Sequence, residues 1–189
     1  MEESINLFVE YKPFFIIAHI FSVIIGMGSA IVSDILFNVF IKDKKINPTE
    51  NKTLSYLSKI IWIALYFIIL SGIAIFFSDT QKYINSPKFL LKIFIVCCII
   101  LNGYLFQRFI HPALRKINFH DTNHHHKYVR IRKISFALGS ISFISWIFAF
   151  ILGSIASIPV SFFTGMYIYI SIILIGIIAS QIIEYKITH

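Results

Sequence analysis

IIWIALYFIILSGIAIFF, residues 60 to 77, is apolar on every side over its whole length. About 20 residues of helix cross the roughly 30 Å of hydrocarbon in a bilayer. A helix satisfies its own backbone hydrogen bonds in lipid, whereas the strands of a membrane barrel alternate apolar and polar residues. The stretch therefore predicts a membrane-spanning α-helix.

The rest of the chain has the same character. Of its 189 residues, 57% are hydrophobic and 14% are charged, whereas about 25% are charged in soluble domains. The charged residues stand in short islands between apolar runs. We therefore predict an all-α fold over residues 1–189, a single integral membrane bundle of five transmembrane helices at 14–40, 56–77, 88–110, 134–156 and 162–184.

The lysine and arginine residues are shared unevenly between the two ends of this bundle. Thirteen of the 17 lie on the side that carries the connections 41–55 and 111–133. Because positive charges in short loops are retained in the cytoplasm, the N-terminus is predicted outside and the C-terminus cytoplasmic. We expect an irregular connection at 41–55, a polar cytoplasmic loop at 111–133, and a location in the cell membrane, a prokaryotic inner membrane.

The net charge of +8 follows from this topology and from attraction to anionic lipid headgroups. We therefore expect the lipid bilayer as partner and no nucleic acid.

One face of the first predicted span carries two polar residues, His19 and Asp34. They are fifteen residues apart and so differ by about 60° around a helix. On the same face, Ser22, Gly26, Ala30 and Asp34 follow one another at four-residue spacing, and isoleucines occupy the opposite face. Small residues at this spacing let a backbone or a flat ligand approach closely. We expect this face to point into the bundle and Asp34 to pair with a basic residue such as Arg108.

His19 has two interpretations. It is either hydrogen-bonded to a neighbouring helix or a metal or haem ligand, since polar residues within a membrane mark functional sites. Lys92 lies about as deep in the third predicted span as His19 lies in the first. It either extends its ammonium to the interface or shares a site with His19.

Three stretches, AHIFSVIIG (18–26), ILSGIAIFF (69–77) and SPKFLLKIFIVCCIILNGYL (86–105), together resemble the small polytopic membrane proteins of the HemJ and CopD type. HemJ-type proteins are protoporphyrinogen oxidases of bacterial haem synthesis that bind haem b, and CopD-type proteins are linked to copper uptake. The resemblance covers about residues 14–110 and implies an oxidoreductase with functional roles for His19 and Lys92.

These observations predict a redox cofactor, haem b, in an outer-leaflet pocket between the first and third spans, with His19, Lys92 and Gly26 as cofactor-binding residues. A quinone or another tetrapyrrole is an alternative ligand. With His19 as its ligand, the haem iron would be five-coordinate, would take Lys92 as a sixth ligand, or would be bound by two histidines across a homodimer. Alternatively, Lys92 holds a haem propionate. No residue is assigned a catalytic role, because no nucleophile with its base and no paired catalytic carboxylates are visible.

A run of histidines lies in the loop 111–133. HDTNHHH contributes His120, His124, His125 and His126, enough imidazole to bind a divalent metal weakly. The alternative is a solvated polar loop. If the run collects metal, the chain is a transition-metal (copper-like) uptake or transport protein, which is the alternative to haem binding. A further alternative is a structural or assembly protein without a cofactor.

Overall fold

The computed structural model describes residues 7–42, 47–110, 112 and 125–188. Within this part of the chain the structure is almost entirely helical and contains no strand. Five of the helices are long and apolar enough to cross a membrane. The predicted all-α bundle with five spans is confirmed.

The helices run up and down along the chain. They are α1 (Lys12–Lys42), α2 (Pro48–Ser78), the short α3 (Thr80–Ile84), α4 (Pro87–Leu105), α5 (His125–Ser154) and α6 (Phe162–Thr188). One π-helical turn, Phe106–Ile110, continues α4. We call the end at which α1 begins the N-terminal end of the bundle.

The irregular connection predicted at 41–55 is wrong for its second half, because α2 begins at Pro48. The backbone N–H of Asn47 donates to Glu50 Oε2 at 2.7 Å, and proline follows at the first helical position. Both features are typical of helix starts. The first turns of α2 therefore stand outside the apolar run that begins at Ile60.

The polar loop predicted at 111–133 is also shorter than expected, because α5 begins at His125. Hydropathy marks only the part of a helix that lies in lipid, and the charged segment 127–133 continues the same helix beyond it. The structure therefore places the basic residues Arg130 and Arg132 on α5 itself.

The packing centres on α5. Helix α1 packs along α2, while α5 contacts α1, α4 and α6. One group of buried residues lies around Trp146 and includes Leu65, Ile95, Ile99 and Tyr169. A second group contains Phe37, Leu54, Ile110, Ile131 and Phe136 and lies at the opposite end from the start of α1.

Large apolar side chains cover the outside of the bundle. Phe14, Ile17, Tyr167 and Ile175 are each 65–67% exposed, which soluble monomers avoid over broad patches. Hydrocarbon is the solvent that suits such a surface.

The predicted orientation of the first span is confirmed. Ser22, Gly26 and Ala30 are buried, whereas Ile24 and Ile35 are more than half exposed. The small residues of α1 therefore face the other helices and the isoleucines face outward.

Candidate functional site

His19 lies near the N-terminal end of α1 and contacts α2. Its Nδ1 is 2.9 Å from the Ser71 hydroxyl oxygen, and that hydroxyl donates its own proton to the Phe67 carbonyl at 2.5 Å. Because a hydroxyl has one proton to donate, Ser71 must accept from the imidazole. A neutral His19 that donates from Nδ1 carries its lone pair on Nε2.

The residue after Ser71 provides the room for this contact. A Cβ atom on Gly72 would lie 3.7 Å from His19 Cε1 and 3.9 Å from Nδ1, which is ordinary van der Waals contact. A larger side chain at this position would compete with the imidazole for space. Ser71 and Gly72, the Ser-Gly pair in ILSGIAIFF, thus form the surface of α2 that the imidazole of His19 contacts.

Lys92 lies in the second turn of α4 and is close enough to His19 for a Coulombic interaction between them. Its ammonium makes no hydrogen bond or ion pair with any residue in the described part of the chain. Lys88, one turn earlier, instead donates to the carbonyl oxygens of Ile155 and Ala156 in the turn between α5 and α6. Of the two lysines, only Lys92 is left to meet a ligand.

Aromatic rings lie between this site and the N-terminal end of the bundle. Phe76 and Phe89 stack with centroids 5.4 Å apart and an interplanar angle of 12°. Tyr83 of α3 contacts Phe89, and Lys12 lies over the Tyr83 ring. Because Phe89 is three residues before Lys92, these rings lie about one helical turn nearer the N-terminal end of the bundle than Lys92 does.

Gly26 lies apart from His19 and Lys92. It is seven residues from His19, about 10 Å along α1. A Cβ atom there would lie 2.5 Å from Trp146 Cη2 and 3.2 Å from the Ala64 Cβ. The group that approaches Gly26 closely is therefore the indole of Trp146. Of the three predicted cofactor-binding residues, His19 and Lys92 therefore lie within Coulombic range of each other, whereas Gly26 packs against Trp146.

The predicted pairing of Asp34 with Arg108 is wrong. Asp34 Oδ2 is buried without a hydrogen-bond partner among the described residues, and the side chain faces Gly139 of α5. Arg108 is exposed. It belongs to the π-helical turn, which changes the direction of its side chain relative to an uninterrupted α-helix.

Replacing Asp34 with leucine is expected to stabilise the protein by about 1 kcal/mol or more, because it removes an uncompensated polar group from an apolar interior. The midpoint of thermal unfolding in detergent measures the change. Asp79→Leu, which removes the half-buried N-cap of α3, is the control and should leave the midpoint unchanged or lower it. A lower midpoint for Asp34→Leu would contradict the expectation.

An ion pair joins α5 and α6 at the end of the bundle opposite the start of α1, and the sequence alone did not predict it. The Arg132 guanidinium donates to Glu184 on α6, and both side chains are buried. In the sequence, Arg132 is one of several basic residues before the fourth predicted span, and Glu184 is the last residue of the fifth. Their separation of 52 residues gives no local pattern. The only available signal was an acid in an otherwise apolar helix.

The histidine run is outside the site. His120 and His124 lie outside the described residues, and His125 and His126 form the first turn of α5, where only the backbone is described. Within 7–42, 47–110 and 125–188 no three His, Cys, Asp or Glu side chains come together as a metal site. Weak metal binding by the run stays a prediction.

Comparison of the chain with protein-family models, with curated proteins and with solved structures finds no match. The resemblance to HemJ and CopD proteins therefore stays a prediction, and the functional argument depends on the site itself.

Proposed function

We propose that the chain is a multi-pass membrane protein that binds haem b between α1, α2 and α4, with His19 as an iron ligand. The observation that supports this most strongly is the pairing of an available imidazole nitrogen with an unpartnered lysine inside apolar spans. Polar groups at such depth are costly and tend to be functional.

The hydrogen bond between His19 and Ser71 supports the ligand role. Histidines that bind metals usually donate the proton of their second ring nitrogen to an acceptor, which fixes the tautomer and the ring plane. Ser71 is such an acceptor, and its own proton is held by the backbone of α2. Nε2 is therefore the atom of His19 that would bind iron.

Lys92 supplies the second contact. An ammonium in an apolar span is stabilised by an anionic partner, and none is found among the described residues. A haem propionate has the required charge, so we assign Lys92 to a propionate in preference to the iron. When bound, haem supplies one-electron chemistry at a potential set by its axial ligands and surroundings. The resemblance to HemJ proteins makes a tetrapyrrole oxidation one candidate reaction.

The test is an absorption spectrum of the detergent-purified protein from haem-supplied cells, oxidised and dithionite-reduced. The wild type should show a Soret band and a reduced α band, and His19→Ala should lack both. Ser71→Ala should bind haem about 10- to 100-fold more weakly, because the outer partner of the ligand is lost.

Two variants separate the role of Lys92 from a general charge effect. Lys92→Gln should weaken haem binding while the α band keeps its position, since the iron ligand is unchanged. Lys82→Gln, which changes an exposed lysine of α3, should bind haem like the wild type.

The absence of any haem band in the wild type would refute the proposal. Lipid extraction would then test for a quinone, and metal uptake for the transport alternative.

A further inference from the structure

The first three turns of α2 carry a groove unrelated to the His19 site. Its volume is about 280 Å³, and it is lined by Pro48, Asn51, Lys52, Ser55, Tyr56 and Lys59. None of these residues is acidic, and the nearby carboxylate of Glu50 is occupied by the Asn47 N–H. The groove therefore has a positive charge and polar walls.

Two lysines converge on one aromatic ring in this groove. Lys52 Nζ lies 5.9 Å and Lys59 Nζ 5.5 Å from the centroid of Tyr56, within the range of cation–π contacts. Neither lysine forms an ion pair within the described part of the chain. An anion between the two ammonium groups would offset their mutual repulsion.

The position of the groove along α2 points to the headgroup layer. The unbroken apolar run begins at Ile60, directly after Lys59. Lys52 lies about 10 Å further out along the helix axis. Headgroups and interface occupy about 5–8 Å on each side of the hydrocarbon. The two lysines thus bracket the depth at which lipid phosphates lie.

An exposed apolar stripe continues from the groove into the hydrocarbon. Tyr56, Ile60, Ile63 and Phe67 follow at spacings of three and four residues, which places them on one side of the helix. They are 54%, 41%, 58% and 51% exposed. A molecule with an anionic head and an apolar tail matches both parts of this surface.

We propose that this groove binds an acidic phospholipid, with the phosphate between Lys52 and Lys59 and an acyl chain along the stripe of Ile60, Ile63 and Phe67. The lipid is recognised by its charge and its tail together. The site shares no residue with the proposed haem site, so the two proposals fail independently.

The test is native mass spectrometry of the full chain in detergent with added phosphatidylglycerol or phosphatidylcholine of the same acyl chains. The wild type should retain phosphatidylglycerol preferentially. The double variant Lys52→Gln/Lys59→Gln should bind it about 30-fold more weakly, as expected for two lysines at an anionic membrane surface. Lys133→Gln removes an exposed lysine of α5 at the same end of the bundle and should bind like the wild type.

Three results would overturn the proposal. Equal binding by the double variant would show that the groove does not hold the lipid. Equal weakening by Lys133→Gln would show a general charge effect. Displacement of the lipid by inorganic phosphate or soluble glycerophosphate at equal concentration would show that the acyl chain contributes nothing and that the groove is a simple phosphate site.

Discussion

Replacing Glu184 with alanine is expected to lower the free energy of unfolding by about 3–5 kcal/mol. The Arg132 guanidinium donates to this carboxylate, and the two side chains are only 9% and 2% exposed. Removing a buried carboxylate takes away the charge that offset the desolvation of its partner. Unfolding of the purified protein in mixed micelles, followed by circular dichroism, measures the loss.

Two further variants test the cause. The double variant Arg132→Leu/Glu184→Leu should lose less than Glu184→Ala, because an apolar pair replaces two desolvated charges. Lys186→Ala, on the exposed side of α6, should change stability by less than about 0.5 kcal/mol. A Glu184→Ala protein as stable as the wild type would show that the pair contributes little.

Gly26→Ala is expected to destabilise the bundle by about 2–3 kcal/mol through overpacking. The added Cβ would lie 2.5 Å from Trp146 Cη2, and Trp146 is only 2% exposed. A rigid ring with neighbours on every side has little room to move away. The same unfolding measurement reports the change.

Gly28→Ala is the matched control on the same helix, because nothing lies within 4 Å of a Cβ atom at that position. It should raise stability by up to about 1 kcal/mol, the ordinary gain of alanine over glycine in a helix. Replacing the indole with a smaller ring, Trp146→Phe, should reduce the loss of stability caused by Gly26→Ala. If both glycine variants behaved alike, the contact with Trp146 would not be the cause.

The spans and the inward face of α1 were predictable because each depends on local periodicity. The run at 60–77 is long enough to cross lipid, and Ser22, Gly26 and Ala30 recur at helical spacing. The ends of the helices were less predictable. Hydropathy measures transfer to lipid, whereas α2 and α5 continue into water, where capping by Asn47 and Glu50 and helix propensity decide where they begin.

The candidate site was predictable only in part. The similar depths of His19 and Lys92 follow from counting residues along two parallel helices, which the sequence permits. The acceptor role of Ser71 depends on the rotation of α2 against α1, and Gly26 meets Trp146 from a helix more than a hundred residues away. Such contacts are set by tertiary packing and leave no local pattern.

The π-helical turn at the end of α4 changes which of the residues that follow it point into the bundle. Asn102 and Phe109 are seven residues apart and would lie within about 20° of each other on an uninterrupted α-helix. Asn102 is buried, yet Phe109 is 62% exposed and Ile110 is 2% exposed. The wide turn accommodates one extra residue, the equivalent of a single insertion. Deleting Gln107 would return the segment to α-helical pitch with Ile110 still directed inward, so this stretch tolerates a change of length that a regular helix would not.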